Sequence, residues 1–333
     1  MVKIAIIGAG SWGTALAFAL ADMGHETRLW AYEPEVVAFI RERHENGIFL
    51  PGVFLPENVT PTNDIAFALE NAECVLTVMP SHVCRSLYEQ MLPYLAPNML
   101  LVSATKGIDA ERHMCMSRII HTVVEAKFVP RIVVLSGPSF AREVAHGAPT
   151  AIVAASSDVE AARWVQREFS CKMLRLYTSD DVIGVEIGGA IKNVIAIAAG
   201  VIEGLELGYN PTAALVTRGL AETARLAAAL GARRETLAGL AGMGDLVLTC
   251  TGTLSRNRAL GVELGKGRVL NEILASMREV AEGVGTTHAA VAISRKLKVE
   301  MPIVEQVRRI LDNEIPPRTA IRELMDRSLK NEQ

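Results

Sequence analysis

The stretch Lys3-Ile-Ala-Ile-Ile-Gly8-Ala-Gly10-Ser-Trp-Gly13-Thr-Ala-Leu-Ala17 constrains the fold more than any other. A short apolar run ends at Gly8, and a helical pattern then runs from Ser11 to about Met23. That order reads as a buried parallel strand, a tight turn and a helix. Glycines at 8, 10 and 13 match the dinucleotide fingerprint. Gly8 permits the turn, Gly10 lets the backbone approach a pyrophosphate, and Gly13 lets the helix lie close to the strand. N–H groups and dipole at the helix start favour that anion. With 26 glycines in the chain such spacing can arise by chance. An ordinary glycine-rich strand–helix turn is the alternative, and the flanking strand and helix favour the fingerprint over it.

A chain of 333 residues can bury a large core and accommodates two domains. Its 50% apolar and 21% charged content excludes a disordered or fibrous protein. The net charge of −3 provides no general attraction to nucleic acid or an anionic membrane. Cys74, Cys84, Cys115, Cys171 and Cys250 are scattered; they read as reduced thiols of a cytosolic protein, and no metal-ligand cluster is expected. No signal peptide is expected, because the fingerprint follows the first apolar run at once. The most membrane-like segment, Val182 to Val201, contains Glu186, Lys192 and Asn193, so it reads as the core of a soluble protein.

Apolar runs alternate with helical segments through the first half, the pattern of a doubly wound α/β domain. Strands are expected at Glu26–Ala31, Cys74–Met79, Met99–Ser103, Arg131–Leu135, Thr150–Ala155 and Lys172–Tyr177. Helices are expected at Glu35–Glu45, Val83–Leu92, Glu111–Ala126 and Val159–Phe169, with Gly47–Pro61 as loop. Beyond Asp181 the chain reads as all-helical, with a helix starting at Asn210-Pro211. The expected architecture is a Rossmann-like doubly wound dinucleotide-binding domain over 1–185 and an all-α substrate-binding domain over 186–333. The active site is expected between the two domains.

Ligands in such sheets bind beyond the strand C-termini, which singles out Pro80-Ser81-His82, Lys106 and Gly137-Pro138-Ser139. After the second strand come Tyr32 and Glu33. Glu33 can reach ribose hydroxyls and would repel a 2′-phosphate, or it can cap the helix behind Pro34; the choice between NAD and NADP stays open. Lys192 is the most informative single residue. It lies within Ile187–Gly200, a helix of almost wholly apolar and small residues, where an ammonium is costly unless paired; the alternative is a lysine snorkelling at the helix edge. Asp245, after Gly242-Met-Gly244, is its natural partner, although it could simply cap a turn. Ser255 suits a helix N-cap. Arg256 and Asn257 behind it offer donors for a phosphate, the alternative being a solvated basic turn. The remaining histidines (25, 44, 113, 121, 146 and 288) read as surface groups.

The chain resembles the soluble bacterial NAD(P)-dependent glycerol-3-phosphate dehydrogenases over essentially its full length. The resemblance rests on Gly8–Ala15, Ala104-Thr-Lys106-Gly107, Ser136–Ala141 with Glu143, Gly188–Ala196 around Lys192-Asn193, and Thr217-Arg218-Gly219-Leu220. It continues through Gly242-Met-Gly244-Asp245-Leu, Ser255-Arg256-Asn257-Arg258 and Val280-Ala-Glu282-Gly283. It implies reversible interconversion of dihydroxyacetone phosphate and sn-glycerol 3-phosphate with NAD or NADP, without a metal, supplying glycerophospholipid synthesis in the cytoplasm. It further implies a homodimer with no nucleic-acid or integral membrane contact. Lys192 becomes the catalytic base or proton donor, supported by Asp245 and Lys106. Gly137, Ser139, Ser255, Arg256 and Asn257 join these three around the substrate. The implied cofactor set is Gly8, Gly10, Ser11, Trp12, Gly13, Tyr32, Glu33, His82, Lys106, Ala141, Arg256, Val280 and Glu282. The family usually offers polar or basic residues for an adenosine phosphate where this chain has Tyr32 and Glu33. The rival readings are another two-domain dehydrogenase acting on a small hydroxyacid, which phosphate dependence would separate, and a nucleotide sensor without turnover.

Overall fold

The computed structural model describes residues 1–277, 280–329 and 331. The chain divides into two compact units, Met1–Lys106 with Met114–Glu186, and Gly107–His113 with Ile187–Gln333. The first unit runs β1 (Lys3–Ile7), α1 (Ser11–Asp22), β2 (Glu26–Trp30), α2 (Pro34–Arg43), β3 (Val59–Thr62), α3 (Ile65–Leu69) and β4 (Cys74–Thr77). It continues α4 (Cys84–Met91), β5 (Leu100–Ser103), α5 (Met116–Val124), β6 (Ile132–Ser136), α6 (Ala141–Ala145), β7 (Thr150–Ala155), α7 (Val159–Phe169) and β8 (Leu174–Ser179).

The strands form one eight-stranded sheet in the order 3-2-1-4-5-6-7-8. All neighbours are parallel except β6 and β7. β1, β4 and β5 are apolar runs because helices cover both faces of a parallel sheet. Ile4, Ile6, Leu76 and Val102 pack on one face with Leu16 and Leu20 of α1. Ala5, Ile7, Val75 and Leu101 pack on the other with Tyr88, Met91 and Ile119. The six leading strands have the doubly wound order of a Rossmann-like fold.

Several local expectations are corrected. Val59–Thr62, read as the end of a loop, is β3; Pro61 is tolerated there because β3 is the sheet edge. α3 was not anticipated; the Asp64 carboxylate caps it, accepting from Ala66 N at 2.8 Å and Phe67 N at 3.2 Å. The helix expected from Glu111 begins at Met116. Asp109 instead folds 109–113 into a turn, accepting from Arg112 N at 2.6 Å. β7 runs antiparallel to β6, since the five-residue α6 between them rises only about 7 Å and cannot carry the chain back along a strand. His25, expected at the surface, is 6% exposed and its Nε2 lies 2.9 Å from the Glu168 carbonyl oxygen.

α8 (Val182–Gly204) contains the division between the units. The helical unit continues with α9 (Tyr209–Ala229), α10 (Arg234–Leu237), a π-helical turn (Leu240–Gly244), α11 (Asp245–Thr251) and α12 (Arg256–Gly265). It ends with α13 (Leu270–Ser276), α14 (Gly283–Leu297), α15 (Pro302–Leu311) and α16 (Pro317–Met325). α8 is long and apolar enough to cross a membrane, yet 83% of its most apolar window is buried within the protein. Gly200 and Gly204, four residues apart on one helix face, meet Gly261 and Gly265 of α12. A methyl at Gly200 would overlap the Arg258 carbonyl oxygen, one at Gly261 the Ile197 carbonyl oxygen, and one at Gly265 would lie 2.6 Å from the Val201 carbonyl oxygen.

Two buried glutamates receive helix N-termini. Glu186 accepts from Ser117 N at 2.8 Å and from the Ser117 hydroxyl, at the start of α5. Glu222 of α9 accepts from Ile303 N at 2.9 Å and Val304 N at 3.3 Å, at the start of α15. Burial pushes each carboxyl up to about 7, against the lowering effect of these donors. Arg225 and Arg327 also oppose the rise at Glu222.

Gly200→Ala is expected to lose about 1–3 kcal/mol or more through backbone overlap, read as a lower thermal midpoint. A raised glutamate pKa means the native state holds the proton more tightly than the unfolded chain. That stabilisation is complete below the unfolded value and is lost as pH rises through about 7. Thermal stability should therefore fall between about pH 5 and pH 8, and Glu222→Gln should flatten the fall.

Candidate active site

At the end of β1, Gly8 has φ +118°, and a Cβ on it would lie 2.6 Å from the Val78 carbonyl oxygen. Gly8 N donates to the Trp30 carbonyl at 3.0 Å and Val78 N to the Ile7 carbonyl at 2.9 Å. The turn is thereby held at the ends of β1, β2 and β4, where the strand order reverses and such sheets bind ligands. Gly13 lies directly beneath, and a methyl there would overlap the Gly8 carbonyl. A Cβ on Gly10 would meet nothing within 4 Å. The first turn of α1 carries no acidic residue and no side-chain cap. These features fit a pyrophosphate at the α1 N-terminus, with Ser11, Trp12 and Gly13 in its first turn.

Asn46 has no place in the sequence reading, yet it is fully buried and donates to the Ala9 carbonyl and to Thr14 Oγ1, both at 2.8 Å. It locks the fingerprint turn from 32 residues beyond Thr14. Only an asparagine ahead of a glycine-containing loop marks it in sequence. Beyond β2, Tyr32 is 81% exposed, and Glu33 starts α2 without a side-chain cap.

Three of the expected residues meet at the ends of β5 and β6. Lys106 donates to the Gly137 carbonyl at 3.2 Å, and the Ser139 hydroxyl donates to the same oxygen at 3.0 Å. Gly137 has φ +142° and lies against Ile152. Ala141 opens α6. His82 is exposed on the single turn Ser81–Val83 after β4.

In the helical unit, Lys192 donates to Asp245 Oδ1 in a buried ion pair; the residues are 8% and 0% exposed. Glycines create this encounter. A Cβ on Gly188 would lie 2.5 Å from the Ala241 carbonyl oxygen, and one on Gly242 would overlap Leu237. The π-helical turn therefore lies directly on α8 and delivers Asp245 at its C-terminal end; such turns recur at functional sites. Thr249 Oγ1 donates back to the Asp245 carbonyl. Burial pushes the nearby Cys250 thiol up to about 12, opposed by the charges of Lys192 and Arg258.

Asn257 is buried and used at both ends of its amide. Its Nδ2 donates to Asn193 Oδ1 at 3.1 Å, and its Oδ1 accepts from Gly283 N at 2.9 Å. It thus ties the residue after Lys192 to the start of α14, next to Val280 and Glu282. Ser255 caps α12 as expected, accepting from Arg258 N at 3.2 Å. Arg258 pairs with Glu203 of α8, while Arg256 is exposed in the first turn of α12.

The sheet order, the fingerprint turn at its reversal point and the buried lysine–aspartate pair of a helical unit define a nicotinamide-dinucleotide-dependent dehydrogenase. The family model described as NAD-dependent glycerol-3-phosphate dehydrogenase N-terminus matches residues 3–162, and the corresponding C-terminus model matches 181–322. The chain belongs to this family. It is 59% identical over 329 residues to a protein of Koribacter versatilis (strain Ellin345) named glycerol-3-phosphate dehydrogenase [NAD(P)+], covering 98% of each. It is 53% identical to the like-named protein of Geobacter sp. (strain M21), over 99% of this chain and 98% of that protein. The crystal structure of glycerol-3-phosphate dehydrogenase from Coxiella burnetii matches with a TM-score of 0.94 at 39% identity, over 98% of this chain and 99% of that one.

Removing one partner of a buried pair strands the other charge. Asp245→Ala should cost about 3–5 kcal/mol of stability, and a Lys192→Met, Asp245→Leu double variant should recover most of it. Denaturant unfolding of the three proteins checks both.

Proposed function

We propose that the protein reversibly reduces dihydroxyacetone phosphate to sn-glycerol 3-phosphate with NADH or NADPH, and that the product supplies glycerophospholipid synthesis in the cytoplasm. The observation that carries this reading is the Lys192–Asp245 pair in a chain that belongs, over nearly its whole length, to the glycerol-3-phosphate dehydrogenase family. We assign residues 1–185 to dinucleotide binding and 186–333 to substrate binding, in a homodimer.

When bound, the nicotinamide supplies or takes up the hydride. Gly8, Gly10, Ser11, Trp12 and Gly13 hold the pyrophosphate. Tyr32 and Glu33 serve the adenosine end, and His82, Lys106, Ala141, Arg256, Val280 and Glu282 complete the cofactor set. In reduction, negative charge develops on the ketone oxygen; the Lys192 ammonium stabilises it and donates the proton. In oxidation Lys192 takes the hydroxyl proton. Asp245 orients Lys192 through their hydrogen bond. Lys106 and Ser139, gathered on the Gly137 carbonyl, bind the polar end of the substrate. Arg256, at the start of the ten-residue α12, binds the phosphate together with the Ser255–Asn257 backbone.

The test is the initial rate of reduced-cofactor oxidation with dihydroxyacetone phosphate and, separately, with dihydroxyacetone. Turnover should require the phosphate ester. Lys192→Ala should lose about 10²–10⁴ in rate while still binding dinucleotide. Near-normal turnover of that variant, or equal use of both ketones, would overturn the assignment.

A further inference from the structure

Resting on the dinucleotide reading above, we infer that the adenosine end of the site is built for a ribose with a free 2′-hydroxyl. Glu33 is the residue that selects NADH over NADPH.

The backbone that presents Glu33 is tightly held. Ala31 N donates to the Thr62 carbonyl at 3.0 Å, and the Ala31 carbonyl accepts from Asn63 Nδ2 at 2.8 Å. The Trp30 indole N–H donates to the Asn63 carbonyl at 2.9 Å, and the Trp30 carbonyl accepts from Gly8 N at 3.0 Å. The end of β2 is therefore tied on one side to β3 and on the other to the fingerprint turn. Tyr32 and Glu33 leave this clamped segment beside the pyrophosphate site, where the ribose of a dinucleotide falls in a doubly wound sheet.

Glu33 is not consumed by the helix it precedes. Its side chain makes no cap, its backbone is extended (φ −82°, ψ 120°), and Pro34 fills the first helical position. The carboxylate at this place accepts from ribose hydroxyls and repels a phosphate ester.

A 2′-phosphate would need a cation, and the basic side chains of β2 and α2 are committed elsewhere. Arg28 lies 4.4 Å from the Phe67 ring centroid, donates to the Phe67 and Glu70 carbonyls, and pairs with Glu26 and Glu70. Arg41 donates to the Pro61 carbonyl at 3.2 Å, about 10 Å along α2 from its first residue. Arg43 stacks on Phe39 at 4.8 Å. The loop itself, Ala31-Tyr32-Glu33, contains no basic residue. Tyr32, 81% exposed, supplies a flat apolar face for the adenine, which NADH and NADPH share.

The test is fluorescence titration of the protein with NADH and with NADPH, without substrate, so that it does not depend on turnover. NADH should bind at least about tenfold more tightly than NADPH. Glu33→Gln should narrow that ratio mainly by tightening NADPH, and Glu33→Arg should narrow it further or reverse it. Tyr32→Ala should weaken both dinucleotides by similar factors. NADPH binding as tightly as NADH to the unaltered protein, or a ratio unmoved by both Glu33 variants, would overturn the inference alone. Binding of neither dinucleotide would overturn the dinucleotide reading and this inference with it.

Discussion

The direct contact of backbone with backbone along α8 is the constraint on which the helical unit depends. Side chains at Gly188, Gly200 or Gly204 would drive its neighbours away. Without them, α12 and the π-helical turn lie on the helix at atomic contact, and their register cannot slide by even part of a turn. That register brings Asp245 to Lys192 and Asn257 to Asn193. Apolar residues with small interdigitating partners give α8 its burial. The two polar residues at its centre are then accommodated because their partners are delivered, already oriented, by elements that the glycines hold in place.

The nucleotide unit solves a similar problem at its first turn. Gly8 fits against the end of β4 and Gly13 fits beneath Gly8, so α1 starts directly on the strand. The buried Ala9 carbonyl accepts from Asn46 Nδ2 as well as from the Thr14 hydroxyl. An anion-binding helix start is useful only when its position is rigid, and here the rigidity comes from steric fit plus one distant amide.

These features differ in how far sequence reveals them. The fingerprint turn and Lys192 are legible because their signals are local: three glycines between a strand and a helix, and one charge inside an apolar helix. Asp245 is legible by default, as a carboxylate beside an apolar run that wants a cation. Asn46, β3 and buried His25 are not, since each is defined by a partner far away in the chain. Thr-Pro-Thr pairs as an edge strand only because β2 has an open side, and the buried His25 ring meets the carbonyl of Glu168, 143 residues further along the chain. The antiparallel β7 was derivable from the shortness of α6, but a strand run by itself carries no direction.

The buried charges fall into two kinds, and the difference bears on chemistry. Glu186 and Glu222 each accept backbone N–H groups at a helix start; they satisfy donors that would otherwise be orphaned, and so have a structural reason to be inside. Asp245 is the first residue of α11. Its carboxylate accepts from the Lys192 ammonium. Well-packed apolar residues in place of such a pair would serve stability as well or better, so packing does not explain the pair. The proton transfer proposed for Lys192 would give it a reason: a lysine within an apolar helix is shielded from bulk water, and a carboxylate hydrogen-bonded to its ammonium fixes where a transferable proton points.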